Sequence, residues 1–298
     1  MNIRQSITLP VHGRLLYHLV ALMTVSIWGV TFVSTKILIN TGLNPTEIFI
    51  YRFFIAYICI LVISHRRLLA DSLKDEMLMC LAGLCGGSLY FIAENSALGI
   101  TFASNVSLLI CTAPLFTMIL ERMLFHTPLR RRMLGGSLIA LCGVGLVVFD
   151  GTFNLGINPL GDLLTIAAAM LWAMYCIILK VIARRYSTFF ISRKVFFYGL
   201  LSASLTLLFR QQPVNVSLLL RPEVCGNLLF LGVFASMICY VLWNGVVNAL
   251  GADKAANYIY FVPMVTILSA VIFLSEPFTA LTVTGTAMII GGVYTAER

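Results

Sequence analysis

Residues Leu81–Gly145 are written twice in this chain: displaced by 149 positions, they fall on Phe230–Tyr294 without a gap. Ten of the 65 aligned positions are identical, little above what two apolar segments share by chance, so the weight lies in which ones match. They include Gly83/Gly232, Asn95/Asn244, Pro114/Pro263, Pro128/Pro277, Gly136/Gly285 and Gly143/Gly292. Glycine and proline decide where a helix bends, stops or is closely approached, so repeating them in register repeats a backbone path. An internal duplication restricts the chain to two copies of one unit packed together. A second correspondence, at an offset of 144, relates Trp28 to Trp172 and Lys36 to Lys180, the difference being absorbed in the loop Arg210–Glu223.

The unit is built for a bilayer. With 60% hydrophobic and 11% charged residues and a mean hydropathy of +0.97, the chain falls far from a soluble globule, about a quarter of which is charged. Its apolar runs are about 20 residues long, which suits spanning helices rather than the alternation of a barrel. The first run, Leu15–Ile39, is too long for a signal peptide and lacks a small-residue cleavage site. Further runs lie near 46–64, 77–98, 102–121 and 131–149, then near 160–182, 188–208, 224–248, 254–274 and 279–296. The loop Asp150–Asn158 divides two units, 1–150 and 151–298. Five spans per unit make the second copy enter from the opposite side, so the repeats are inverted. Placing both termini in the cytoplasm puts thirteen of the 20 Lys and Arg inside and two, Arg210 and Arg221, outside, as positive-inside topology requires. The expected fold is an all-α membrane protein of ten transmembrane helices, arranged as two inverted five-helix repeats.

The net charge of +8 is thereby a loop charge, with no call on nucleic acid. The eight cysteines lie in apolar runs without metal-ligand spacing and read as small apolar fillers, with no metal or disulfide role.

Candidate functional residues are the polar groups within the spans. Pro114 and Pro263, each about ten residues into its helix, remove the hydrogen bond to the carbonyls of Ile110 and Ile259, exposing backbone to a cavity or merely kinking the helix. Glu94 stands in mid-span and needs a partner; Arg52 and Lys36 fall at a similar depth, so one carboxylate would serve two cations. That arrangement reads either as a substrate or proton site, or as a structural ion pair beside a snorkelling lysine. Lys180, Arg193 and Lys194 have no embedded acid beside them, since Trp243 answers Glu94; they read as an anion-attracting patch or as headgroup-bound charges. Helical spacing groups Trp172 with Tyr175, Tyr240 with Trp243 and Asn244, and Asn257 with Tyr260. The first copy offers Trp28, Tyr90, Asn95, Asn105 and Ser107. Aromatic side chains ordinarily serve packing or the membrane interface, whereas a buried amide must bond to something. Gly136, Ala140 and Gly143, with Gly285 and Gly292, have small-residue spacing for close helix approach, either within the chain or across a dimer.

These residues carry a resemblance. Trp28-Gly29 through Lys36, the Asn-Ser-Ala-Leu run at 95–98, Pro114, Tyr240–Asn244, Gly251-Ala252, Pro263 and Glu276-Pro277 resemble the drug/metabolite transporter superfamily, specifically its EamA-like ten-helix exporters. Thr127-Pro128 departs from the acidic-Pro pair seen at Glu276-Pro277. The resemblance implies a secondary transporter in the inner membrane, exporting small metabolites, amino acid-like or drug-like, by alternating access. It implies a small-molecule substrate, contact with the lipid bilayer and a proton or substrate gradient as driving force; the small-residue faces fit a monomer or a homodimer. Carriers of lipid-linked sugars or nucleotide sugars belong to the same superfamily. An intramembrane transferase would need clustered carboxylates or a nucleophile beside a base, whereas Glu94 has no acidic companion in its span and His12, His18, His65 and His126 lie towards the cytoplasmic ends. No Walker A loop is present and no cofactor is expected.

Overall fold

The computed structural model describes residues 11–65, 68–101, 103–126, 131–149, 159–208, 216–274 and 280–297. Thr127-Pro128, Asp150–Asn158, Arg210, Glu276-Pro277 and the side chain of Asn105 lie outside the described residues. Every regular element among the described residues is helical. The first copy comprises α1 (Val11–Asn40), α2 (Pro45–Ile63), α3 (Leu73–Gly83), α4 (Leu89–Ile100), α5 (Ala103–Ile110), α6 (Ala113–Phe125) and α7 (Arg131–Phe149). The second comprises α8 (Pro159–Ile182), α9 (Thr188–Leu208), α10 (Pro222–Leu229), α11 (Cys239–Leu250), α12 (Ala252–Asn257), α13 (Val262–Leu274) and α14 (Ala280–Glu297). Starts follow local chemistry: Asn44 caps α2 through the Thr46 N–H while Glu47 bonds back to the Asn44 N–H, and Pro45 opens the first turn, where its missing N–H costs nothing. Leu15–Asn40, Pro45–Ile63, Leu73–Ile100, Pro159–Ile182 and Pro222–Leu250 are each long and apolar enough to cross a bilayer. Phe54, Val62, Leu201 and Ile272 are among the large apolar side chains left on the outer surface, where hydrocarbon rather than water is the compatible solvent.

The duplication is visible in how the helices are interrupted. A π-helical stretch, 84–88, joins α3 to α4, and another, 230–238, joins α10 to α11; the 149-residue offset lays the first on the second. Ala103 and Ala252 both begin short helices, and each is followed, after a break, by a helix with proline in its first turn. Pro114 is the second residue of α6 and Pro263 the second of α13, so neither sits ten residues into a continuous helix as expected. The preceding break absorbs the missing N–H: in the second copy it is a 3-10 turn, Tyr258–Phe261, and the Ile259 carbonyl is not freed, since it accepts from the Val262 N–H and from the Cys111 thiol at 3.6 Å. Thr117 and Thr266 repeat one bond, each hydroxyl donating to the carbonyl four residues back.

Packing is reciprocal. α1 lies against α11 and α13, while its counterpart α8 lies against α4 and α6; α2 packs on the π stretch 230–238, and α9 on the π stretch 84–88. Each copy thus inserts its leading helices into the other, and the shared core forms between the copies. α7 and α14 pair with each other within the chain, which answers the question their glycines raised. A Cβ on Gly136 would lie 2.5 Å from the Gly292 carbonyl oxygen, and one on Gly292 2.5 Å from the Ala140 nitrogen, so only glycine permits this approach.

Candidate functional site

Where the two copies interlock, a cavity is lined by Trp28, Thr31, Phe32, Arg52, Tyr90, Phe91, Glu94, Ile110, Trp172, Tyr240, Ile259 and Val262. Ile110 and Ile259 are equivalent positions of the repeat, so the cavity straddles the relation between the copies. It offers about 40 Å³ to the centres of water molecules, room for only a few of them. Both signs of charge reach it. Arg52 on α2 is 1% exposed; its Nε donates to Ser236 Oγ at 2.9 Å and its guanidinium lies 4.2 Å from the Phe91 ring centroid. Glu94 on α4 is 6% exposed, and its Oε1 accepts from the Tyr90 hydroxyl at 2.6 Å. Among the described residues the two form no ion pair within 4.0 Å, so they face the same space without cancelling at contact.

All three tryptophans of the chain meet here, Trp28 and Trp172 in the cavity wall and Trp243 packed against both. Trp28 and Trp172, related by the repeat, meet edge to face at 5.1 Å; Trp243 stands 5.1 Å from Trp28 and 5.9 Å from Trp172. Interface-marking tryptophans would lie apart at the helix ends; these gather at the centre because α1, α8 and α11 cross there. Tyr240 continues the ring wall, 6.2 Å from Trp28 and 5.4 Å from Phe196. Edge-to-face pairs of this kind contribute roughly 0.5–1.5 kcal/mol each beyond their burial.

Other candidates are placed behind the wall. The Tyr175 hydroxyl donates to Asn244 Oδ1 at 2.8 Å and Asn244 Nδ2 to Ser192 Oγ at 2.8 Å, tying α8, α11 and α9 together. Asn95 Nδ2 donates to the Pro45 carbonyl at 3.1 Å, fixing α4 to the start of α2. The repeated asparagines thus each tie helices of their own copy together, outside the described lining of the cavity. Ser107 is buried on α5, its carbonyl accepting from the Cys111 thiol. Asn257 and Tyr260 are fully buried at the 3-10 turn, beside Ile259 of the lining but not part of it.

The expected cation partners need correction. Lys36 does not reach Glu94; its Nζ donates to the Leu98 carbonyl at 2.6 Å and the Thr101 carbonyl at 3.3 Å, closing the C-terminal end of α4. Helix ends leave carbonyls unpaired and carry partial negative charge, which a lysine satisfies without any carboxylate. Lys180 is not unneutralised: it pairs at 2.7 Å with Glu121, a 4%-exposed acid at the end of α6. Lys194 pairs with Glu76, which also accepts from Tyr198; Asp75 takes Arg185 at 3.1 Å and the Tyr186 hydroxyl at 2.8 Å; Arg193 bonds to the Ser64 carbonyl. Together these bonds fasten α3 and the end of α2 to α8 and α9. The region that the repeat makes equivalent, at the end of α1, the start of α2 and α10, is apolar, with Leu38, Leu43, Ile48, Val224 and Leu231 in one cluster.

Because Lys36 acts on two backbone carbonyls, Lys36→Met is expected to lower stability by roughly 1–3 kcal/mol, the scale of a charged hydrogen bond, and to leave the cavity chemistry intact. Thermal unfolding in detergent checks the first part and transport by the folded fraction the second.

Comparison with known proteins places this geometry. The model of the EamA-like transporter family matches the chain twice, over residues 15–149 and 159–296. A protein of Archaeoglobus fulgidus named an uncharacterized transporter is 28% identical over 284 residues, covering 93% of this chain and 96% of its own. A probable amino-acid metabolite efflux pump of Salmonella typhimurium is 26% identical, with 92% of each chain covered, and one of Escherichia coli is 25% identical. A crystal structure at 19% identity superposes with a TM-score of 0.72 over 96% of each chain, so the fold is shared. The family model spans both halves of a multi-pass apolar chain, and the protein belongs to the EamA-like transporter family.

Proposed function

We propose that this transporter exports a small zwitterionic metabolite, of the amino-acid kind, across the inner membrane by alternating access. In this reading ten helices cross the bilayer as two inverted repeats, 1–150 and 151–298, with both termini cytoplasmic. The observation that carries it is the cavity between the copies, where Arg52 and Glu94 face one space within aromatic walls. A carboxylate suits the guanidinium, an ammonium suits Glu94, and the rings suit an apolar body. The names of the two enterobacterial relatives support the amino-acid class. A cavity holding only a few waters must widen to admit a metabolite. Rocking one repeat against the other supplies that motion: the polar bonds of Asp75 and Glu76 part at one end, and the apolar cluster parts at the other. Glu94 is the group placed to exchange a proton for substrate. The functional unit is the single chain, whose small-residue helices are used internally.

The test is counterflow in proteoliposomes of purified protein, with labelled L-leucine, L-phenylalanine, L-serine, L-lysine and L-glutamate. Accumulation of at least one against unlabelled compound inside is expected. Absence of exchange with all of them, alongside exchange of a nucleotide sugar, would replace this reading with the sugar-carrier one.

A further inference from the structure

The two copies treat one carbonyl differently. Trp28 Nε1 donates to the Ala235 carbonyl, 2.9 Å away in the π stretch of the other copy. The repeat carries Trp28 onto Trp172 and Ala235 onto Gly86, so the matching acceptor for Trp172 is the Gly86 carbonyl. That carbonyl instead accepts from the Tyr240 hydroxyl, and among the described residues Trp172 makes no bond to it. Tyr240 answers Phe91, which has no hydroxyl, so the first copy cannot make the competing bond and Trp28 keeps its acceptor. Trp172, 4% exposed and on the wall of the cavity that Arg52 also lines, is left with no acceptor for its indole N–H among the described residues. A buried N–H without an acceptor is costly, and its retention is explained when a ligand brings the acceptor.

We infer that the Trp172 indole N–H is a substrate-binding donor, taking an oxygen of the substrate carboxylate beside Arg52, and that Tyr240 is a positioning residue that keeps the Gly86 carbonyl from capturing it. Trp28, the same side chain in the other copy, is a strut. This inference rests on the transport reading above and gives it a carboxylate-bearing substrate. It carries a distinctive consequence: Tyr240→Phe removes a hydroxyl that does not touch substrate, yet it returns the Gly86 carbonyl to Trp172 and silences the donor.

The experiment has two arms. With only three tryptophans, ¹⁵N-indole labelling gives three N–H signals, assigned by single Trp→Phe variants. Without substrate, the Trp172 hydrogen should exchange faster than that of Trp28, and Tyr240→Phe should slow it. In counterflow with the amino acids above, Trp172→Phe should raise the half-saturating concentration about tenfold, the scale of one hydrogen bond to a charged acceptor, with little change in maximal rate. Tyr240→Phe should do the same, and the double variant should be no worse than either alone. Additive effects in the double variant, or a Trp172 hydrogen as protected in the wild type as in Tyr240→Phe, would overturn the inference. If the wild type exchanges none of the amino acids, the transport reading fails, while the indole arm still decides whether Tyr240 withholds the acceptor.

Discussion

Gly136→Leu is expected to yield no stably folded protein, whereas Gly135→Leu, one residue away, is tolerated. A Cβ at 136 would stand 2.5 Å from the Ala296 nitrogen and from the Gly292 oxygen; both are backbone, so no rotamer change relieves the overlap. α7 and α14 would have to separate along their contact, where Gly143 is held 2.7 Å from the Gly285 oxygen by the same measure. Overpacking typically costs 1–3 kcal/mol when side chains give way. With backbone on both sides the cost is expected above about 3 kcal/mol, a large part of ordinary stability. Gly135 and Gly291 have nothing within 4 Å of a built Cβ and serve as matched controls. Heating detergent-solubilised variants and measuring the monodisperse fraction checks the contrast; equal behaviour of 135 and 136 would contradict it.

Arg52→Gln is expected to abolish transport and to destabilise the protein together. The guanidinium is buried, bonded to Ser236 and faces the same cavity as Glu94, so its removal loses that bond and leaves the carboxylate without an opposite charge nearby, a change of roughly 1.5–3 kcal/mol, the scale of a hydrogen bond to a charged group. Removing both charges separates structure from function. Arg52→Gln/Glu94→Gln should recover most of the lost stability while transport stays reduced at least about 100-fold, the scale of losing two charged contacts to substrate. A double variant that regains transport along with stability would make the pair structural, which is the other reading its sequence allowed.

Backbone features were legible in the sequence because glycine and proline act locally. The register of the duplication, helix over the apolar runs, a disturbance of the helix near Pro114 and Pro263 and the small-residue face of α7 and α14 follow from short-range rules; that each proline opens a new helix instead of kinking a continuous one does not. Side-chain partners were not legible, because they depend on which helices cross. Lys36 lies at a depth similar to that of Glu94, but it serves the end of α4; depth along a helix says nothing of azimuth. Glu121 stands at the last position of the 102–121 run, where an acid reads as a loop charge, so the sequence shows no embedded partner for Lys180. The tryptophans each looked like packing or interface residues, and only the reciprocal insertion of α1 and α8 brings them together. The π stretches carry Gly86 and Gly87 in one copy but Ala235 and Ser236 in the other, so no shared residue signals them. The competition of Tyr240 and Trp172 for one carbonyl needed both the repeat register and the contact.

In the proposed mechanism the cavity between the copies is the path of a charged small molecule. Counterflow by wild type, Arg52→Gln and the Arg52→Gln/Glu94→Gln double variant, at equal amounts of folded protein in the liposomes, tests it most directly. The account predicts exchange of an amino acid by the wild type and its loss in both variants. Undiminished exchange by the double variant would contradict it and place the path elsewhere in the fold.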